Sequence, residues 1–290
     1  MSAVIKPDSA SHWYYPDGTG CHKVEMATKP GQYRNTSLTD ARKLGLLPSV
    51  TNIISLLSKP QLDAWKTERT IEAAYAYFKK NGFDMPIEEA MKQIFIDSQE
   101  QTEVARVFGQ TMHGAVENFV CTGEEPENPD IIPYFEKFKE WWNAEVEEVY
   151  ISEKTVVGFG YAGRLDLKAK LRSHGVSICD FKTRKRLSPT AAQKKRGELG
   201  KFGTYAEDCM QLVAYEDAEG GLNSLSDPMD ATPKTENVIS VFIDSVEPSP
   251  IGMHVWNDED KHRYRRAFSS LCHLWQSIKN YDPSEACVAV

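Results

Sequence analysis

The chain has no Cys-x-x-Cys pair; its six cysteines (Cys21, Cys121, Cys179, Cys209, Cys272 and Cys287) lie far apart. Close thiol pairs are what a zinc ribbon or the usual iron–sulfur cluster needs, so this spacing argues against both and reads the thiols as reduced and unbridged. Any run near the ~18 apolar residues of a membrane span is missing as well. The first residues, Met1 to Asp8, have neither the apolar core of a signal peptide nor an Arg-rich amphipathic transit pattern, so a cytoplasmic location without a membrane partner is expected. Internal repeats and low-complexity tracts are absent. Positive charge is outnumbered: 34 Lys and Arg against 42 Asp and Glu give a formal net charge of −8, which speaks against phosphate binding over the whole surface and leaves a local basic patch for it. What is present is an ordinary globular composition, 41% hydrophobic and 26% charged over 290 residues, enough to bury a sizeable core.

The densest pattern lies between Tyr161 and Lys182. Tyr161, Gly163, Leu165, Leu167, Ala169 and Leu171 alternate with Ala162, Arg164, Asp166, Lys168 and Lys170, the period-2 signature of a half-buried strand. After Arg172-Ser173-His174-Gly175 a second strand follows. Val176, Ile178, Asp180 and Lys182 share one of its faces, Ser177, Cys179 and Phe181 the other. A hairpin brings Asp166 beside Asp180 and Lys182. Two carboxylates and a lysine on one sheet surface suit a metal-dependent hydrolytic centre, and equally suit the solvated polar face of two strands.

Upstream, residues 1–47 read as short strands and turns forming a surface β-hairpin. Ser49 or Thr51 caps a helix, Pro60 suits the first turn of a second, and Pro86 opens a third with Met91, Ile94 and Phe95. In the second, Leu62, Trp65, Ile71, Ala74, Tyr75 and Phe78 recur at helical spacing. Glu103 to Cys121 is a further helix with an apolar stripe of Val104, Val107, Phe108, Met112, Val116, Phe119 and Val120. Gly109, His113 and Glu117 stack beside that stripe at i, i+4, i+8. A helix with Tyr134, Phe135, Phe138, Trp141 and Trp142 and a strand from Val149 to Val157 lead into the hairpin. Beyond it come a helix from Thr204 to Ala218 with Gln211 and Tyr215 on one face, a mobile loop from Glu219 to Thr235, and a buried strand from Val238 to Ile243. A helix from about Asp258 to Lys279, capped by Asn257, precedes a frayed tail after Asp282.

Four of these features occur in a telling order: Gly109-x-x-x-His113-x-x-x-Glu117 on a helix, Gly163-Arg164-Leu165-Asp166 on a strand, Asp180-Phe181-Lys182 on the next, and Gln211-x-x-x-Tyr215 on a helix. They resemble the ordered motifs of the PD-(D/E)XK nuclease superfamily, and within it the RecB-type exonuclease branch. Leu47-Pro48-Ser49-Val50-Thr51, with Trp65 after it, is similar to phage exonucleases and the mitochondrial genome maintenance exonuclease of that branch. Leu165 stands where the superfamily's name has proline, a departure the branch's Gly-x-x-Asp pattern allows. The resemblance covers about residues 47–245.

It implies an α/β fold with a restriction-endonuclease-like core: helix, three antiparallel strands, helix, strand, with a helical N-terminal elaboration and a C-terminal helix. The chain is then one nuclease domain over 1–290, with a β-hairpin region at 1–47, a helical part at 48–145, the catalytic sheet and helix at 146–245 and a last helix at 256–282. By the same resemblance Asp166 and Asp180 hold Mg²⁺ (or Mn²⁺) with the Phe181 carbonyl and His113, and no iron–sulfur cluster is expected. Hydrolysis of a phosphodiester needs an aligned water and neutralised phosphate charge, which one or two hard cations on oxygen ligands supply. Lys182 orients or deprotonates the water and stabilises the developing charge. Glu117 binds a second metal or orients His113. Gln211 and Tyr215 pack near the site and touch substrate, or form an ordinary helix face. Glu153, on the preceding strand, reads as a supporting group or a surface charge.

The implied partner is DNA, as single strands or duplex ends, with a recombination or single-strand-binding protein as a further one. From Lys182 to Lys201 the chain carries Arg184, Lys185, Arg186, Lys194, Lys195, Arg196 and Lys201 against a single Glu198. This block reads as a solvated loop or as the DNA path out of the site. Tyr161, Phe202 and Tyr205 are candidates for base stacking or for core packing. An exonuclease of phage or bacterial recombination, repair or replication is the first expectation. A structure-specific or flap endonuclease and a non-catalytic DNA-binding module are the alternatives.

Overall fold

The computed structural model describes residues 12–58, 60–84, 86–220 and 232–288. Of the loop expected over 219–235, positions 221–231 lie outside the described residues.

The fold is mixed α/β, built on a five-stranded sheet of order β5-β6-β7-β8-β9, namely β5 (Val146–Gly158), β6 (Tyr161–Leu171), β7 (Gly175–Arg184), β8 (Asn237–Asp244) and β9 (Gly252–Val255). The first three strands are antiparallel, β8 runs parallel to β7, and β9 returns antiparallel to β8. The parallel step is possible because α7 (Ala206–Gly220) makes the crossover. One face of the sheet is covered by α7 and α8 (Asp258–Lys279), whose Leu212, Val213, Phe268, Leu271 and Trp275 pack with Leu165, Ile178 and Val238. The other is covered by α4 (Ile87–Thr122) and α5 (Ile132–Glu145), through Met112, Val116, Phe135, Phe138 and Trp141 against Leu167, Cys179, Phe181 and Val241.

Along β8 the pleat is regular, with Val238 on the α7 side and Ile239, Val241 and Ile243 on the α5 side. Along β6 it is not. Tyr161 and Leu165 join the α7-side cluster, whereas Leu167, Ala169 and Leu171 join the α5-side cluster, so the strand turns over at Asp166. β5 turns over opposite it: Ile151 and Val156, five apart, both face α7, and Glu153 between them is left-handed at φ 51°. Such a backbone costs a non-glycine residue about 1–3 kcal/mol. The single-face alternation expected from Tyr161 to Leu171 is therefore corrected: each stretch alternates, but on opposite sides of the kink. Lys168 is likewise not solvated; its Nζ is buried against Glu219 (2.7 Å) and Thr232 (2.6 Å).

Elsewhere the structure differs from the pattern in definite ways. Residues 1–47 do contain a hairpin, β2 (Lys23–Met26) with β3 (Lys29–Asn35), but they are not mere surface decoration. β1 (Trp13–Tyr14) pairs with β4 (Leu47–Pro48) and buries Trp13 against Trp275 of α8. A helix α1 (Leu38–Leu44) follows, closed by a Ser37–Asp40 capping box and left-handed Gly45. Ser49 caps α2 (Val50–Ile54) by accepting from the Asn52 amide. The two helices expected after Pro86 are one, the 36-residue α4. α3 (Pro60–Asn81) packs on it through a small cluster of Ala73, Tyr77, Ala90 and Ile94, leaving Leu62, Ile71, Tyr75, Met91, Phe95 and Val104 exposed. The short α6 (Ala191–Lys195) and strand β9 were not foreseen, and the tail is not frayed at Ser284–Val288 but forms α9. Among the described residues no helix is long and apolar enough to cross a membrane.

Candidate metal and phosphodiester site

The β6–β7 ladder runs from Leu171↔Gly175 to Leu167↔Cys179 and then stops. Where the strands part, Asp166 takes over as acceptor: its Oδ2 accepts from the Phe181 amide at 2.9 Å. This leaves Oδ1 free, 3.9 Å from His113 Nε2 on α4. Glu153 Oε1 stands 3.8 Å from the same nitrogen, while its Oε2 meets Arg164 Nε at 2.7 Å. One ligand atom each from His113, Glu153 and Asp166 all fall within 4.8 Å of one another. Arg164 also pairs with Glu117, one turn beyond His113.

On the other side of Asp166 is a second group. Asp180, 1% exposed, pairs with Lys182 Nζ at 2.7 Å through Oδ2. Gln211 ties the pair to α7: Nε2 donates to Asp180 Oδ1 (2.9 Å) and to the Tyr215 hydroxyl (3.1 Å), and Oε1 accepts from Lys182 (3.1 Å). The Gln211-x-x-x-Tyr215 pair is thus part of the cluster rather than an unrelated helix face. Two glycines let the helices come this close. A Cβ at Gly163 would stand 2.5 Å from the Tyr215 ring, and one at Gly109 would stand 2.9 Å from Thr183 Oγ1 of β7. The motif glycines are there for proximity of α7 and α4 to the sheet, not for turns.

The electrostatics of the cluster are those of an undercompensated acidic site. Burial pushes Glu153 up to about 8, with Asp166 adding to the push and Arg164 opposing it. Burial also raises Asp180, against the pull of Lys182. For Lys182 burial favours loss of the proton, but the carboxylates of Asp180 and Asp166 more than offset it, and its pKa is raised. Tyr215 is driven well above its ordinary value by burial and the same two aspartates, so its hydroxyl stays neutral. Four carboxylates (Glu117, Glu153, Asp166 and Asp180) face the cations Arg164 and Lys182. Asp180 Oδ2, despite its ion pair, is a buried oxygen with no hydrogen bond of proper geometry. Oxygen donors, an imidazole and unbalanced negative charge fit a divalent cation.

The structure brings His113, Glu117, Asp166, Asp180, Lys182, Gln211 and Tyr215 together. Phe181 contributes its amide, as described, while its ring is buried against Phe138 and Trp141. The basic block divides. Arg184 turns inward, forking onto Asp208 (2.6 and 2.7 Å) and lying over the Tyr205 ring. Arg186 turns inward too, onto Ser249, the Gly200 carbonyl and the Phe202 ring, near Asp244. Both are corrected to structural ties between the loop after β7, α7 and the β8–β9 segment. Lys185, Lys194, Lys195, Arg196 and Lys201 remain exposed, with Arg196 paired to Glu198. Of the stacking candidates, Tyr161 is core, its hydroxyl donating to the Ala214 carbonyl, and Phe202 stacks on Phe242.

Sequence reasoning underrated Glu153 and gave Arg164 no role. Arg164 was visible inside the Gly-x-x-Asp motif. Glu153 carried no signal, because nothing in Ser152-Glu153-Lys154 announces a left-handed residue inside a strand. Tyr14 is a further neighbour, its raised pKa set by burial and opposed by Arg164. No protein-family model matches the chain, and a search of curated proteins finds no match either.

Proposed function

We propose that the chain is a Mg²⁺-dependent DNA exonuclease of the PD-(D/E)XK superfamily, RecB-type branch, on a restriction-endonuclease-like core. The observation that carries this reading is the juxtaposition of Lys182 and Asp180, held by Gln211, with Asp166 and His113 across the parted β6–β7 strands. The order α4, α5, β5, β6, β7, α6, α7, β8, which contains helix, three antiparallel strands, helix and strand in sequence, supports the core assignment.

His113, Asp166 and Asp180 would hold the cation, which when bound supplies neutralisation of phosphate charge and activation of water. The chain's own groups do the rest. Lys182, kept protonated by its two carboxylates, orients a water and stabilises charge developing on the phosphate. Gln211 fixes the direction of the ammonium, and Tyr215, neutral and packed under Gly163, fixes Gln211. The Phe181 amide prevents Asp166 from rotating.

End-labelled linear DNA, single- and double-stranded, incubated with Mg²⁺ beside covalently closed circles tests the reading. Linear DNA is expected to be lost and circles spared. Nicked circles would instead indicate an endonuclease, and intact DNA of every form would reject catalysis. The exposed cations after β7 are the proposed DNA path. Neutralising Lys194, Lys195 and Arg196 together is expected to weaken DNA binding and flatten the slope of log affinity against log salt by about two to three. An unchanged slope removes that role.

A further inference from the structure

We infer that Glu153 is a ligand for a divalent cation, forming with His113 and Asp166 a three-donor site at the kink shared by β5 and β6. The inference deepens the reading of the cluster as a metal centre, and rests on it. It differs from the ligand set that the motif resemblance implies, which contains no residue of β5.

Two carboxylate oxygens in the cluster are left unshared. Asp166 Oδ2 is committed to the Phe181 amide and Glu153 Oε2 to Arg164, so each carboxylate has one oxygen left. Those two oxygens, Oδ1 and Oε1, both point to His113 Nε2, at 3.9 and 3.8 Å. These separations are too long for hydrogen bonds. Around an octahedral ion with bonds near 2.1 Å, neighbouring donors lie about 3 Å apart and opposite donors about 4 Å. The two separations from His113 Nε2 fall inside that span, and all three atoms lie within 4.8 Å of one another, so a small turn of the side chains would close them on an ion.

Asp180, the other carboxylate proposed to hold the ion, is more committed than Glu153, so Glu153 supplies a donor that Asp180 alone does not. Asp180 Oδ1 accepts from Gln211 and its Oδ2 faces Lys182. Its negative charge still reaches Glu153. Glu153 is otherwise hard to explain. Its side chain is only 8% exposed, and with ordinary backbone it would share the α7-facing side of Ile151, away from His113. The left-handed residue brings the carboxylate to the His113 side, opposite Asp166 in the β5–β6 register between Ser152↔Leu167 and Lys154↔Leu165.

The test is Mn²⁺ binding by the whole chain without DNA, read by calorimetry and by electron paramagnetic resonance of free Mn²⁺. Glu153→Asn keeps a residue that tolerates the left-handed backbone and removes the carboxylate. It is expected to weaken Mn²⁺ binding at least about tenfold. Glu148→Gln, an exposed carboxylate on the same strand, should leave binding unchanged. If Glu153→Asn fails to fold, the wild-type chain still decides: diamagnetic Mg²⁺ should shift the side-chain carboxylate ¹³C signal of Glu153 together with that of Asp166 and the ring signals of His113. Wild-type affinity in Glu153→Asn, or a Glu153 carboxylate signal that stays unmoved when Mg²⁺ shifts those of Asp166 and His113, overturns the inference. Those results leave the nuclease reading intact if linear DNA is still degraded. Tight Mn²⁺ binding through Glu153 with no hydrolysis of any DNA keeps the inference and sinks the nuclease reading. No Mn²⁺ binding at all overturns the inference.

Discussion

Asp180→Asn is expected to lower Mg²⁺-dependent hydrolysis of linear DNA by about a thousandfold, ~4 kcal/mol of transition-state stabilisation, while the chain still folds. The substitution is nearly isosteric. An Asn side-chain oxygen can still accept from Gln211 Nε2 and from Lys182, the two donors that reach Asp180 Oδ1 now. What is lost is the charge. Without it Lys182 loses the carboxylate that holds its proton against burial, and the cation loses a counter-charge. The fold is expected to be kept because both hydrogen bonds survive and Asp166 still lends Lys182 a carboxylate charge. Full activity in Asp180→Asn, measured on the same linear substrates at equal folded protein, would remove this residue from the chemistry. A loss of both activity and cooperative melting would reassign it to stability.

The second large effect is in stability against pH. Glu153 is held up to about 8 by burial and by Asp166, against an ordinary 4.5, and Asp180 is raised in the same direction. Across that window the folded state keeps protons that the unfolded chain has released. Stability contributed by these groups therefore falls as pH rises from about 5 to about 8. A divalent cation binds the deprotonated carboxylates and restores what was lost. The rise in melting temperature on adding Mg²⁺ is thus expected to be slight near pH 5 and several degrees near pH 8. His22 and His254, both lowered by burial, work in the opposite sense as they titrate, but they contribute with and without Mg²⁺ and cancel in the difference. A Mg²⁺ effect of equal size at both pH values would show that the cluster carries no excess charge.

The same residues explain why some elements could be read from the chain and others could not. β8 was legible because Val238 to Ile243 is buried on both faces, and a continuous apolar run needs no knowledge of its neighbours. α8 was legible because Asn257 caps it and one face alone is apolar. α4 was split in two, since the exposed Met91, Phe95 and Val104 break the stripe that a buried helix would show. The inward turn of Arg184 and Arg186 was invisible, because their partners Asp208 and Asp244 come from elements more than twenty residues away. A basic run in sequence looks the same whether its cations face water or carboxylates.

The sequence by itself determined the identity and order of the candidate site groups, His113, Asp166, Asp180, Lys182, Gln211 and Tyr215, because motif spacing within one helix or strand is local geometry. It also determined the mixed α/β character, through the two periodicities of 3.6 and 2. Only the tertiary structure decided that β6 turns over at Asp166 and that Glu153 joins His113 there. Which oxygen of Asp166 is free was decided there too, by an amide fifteen residues away. The physical reason is that pleat parity and hydrogen-bond commitment are properties of paired strands. A single strand's residues can list the ligands, but the neighbouring strands and helices choose which atoms are left to bind.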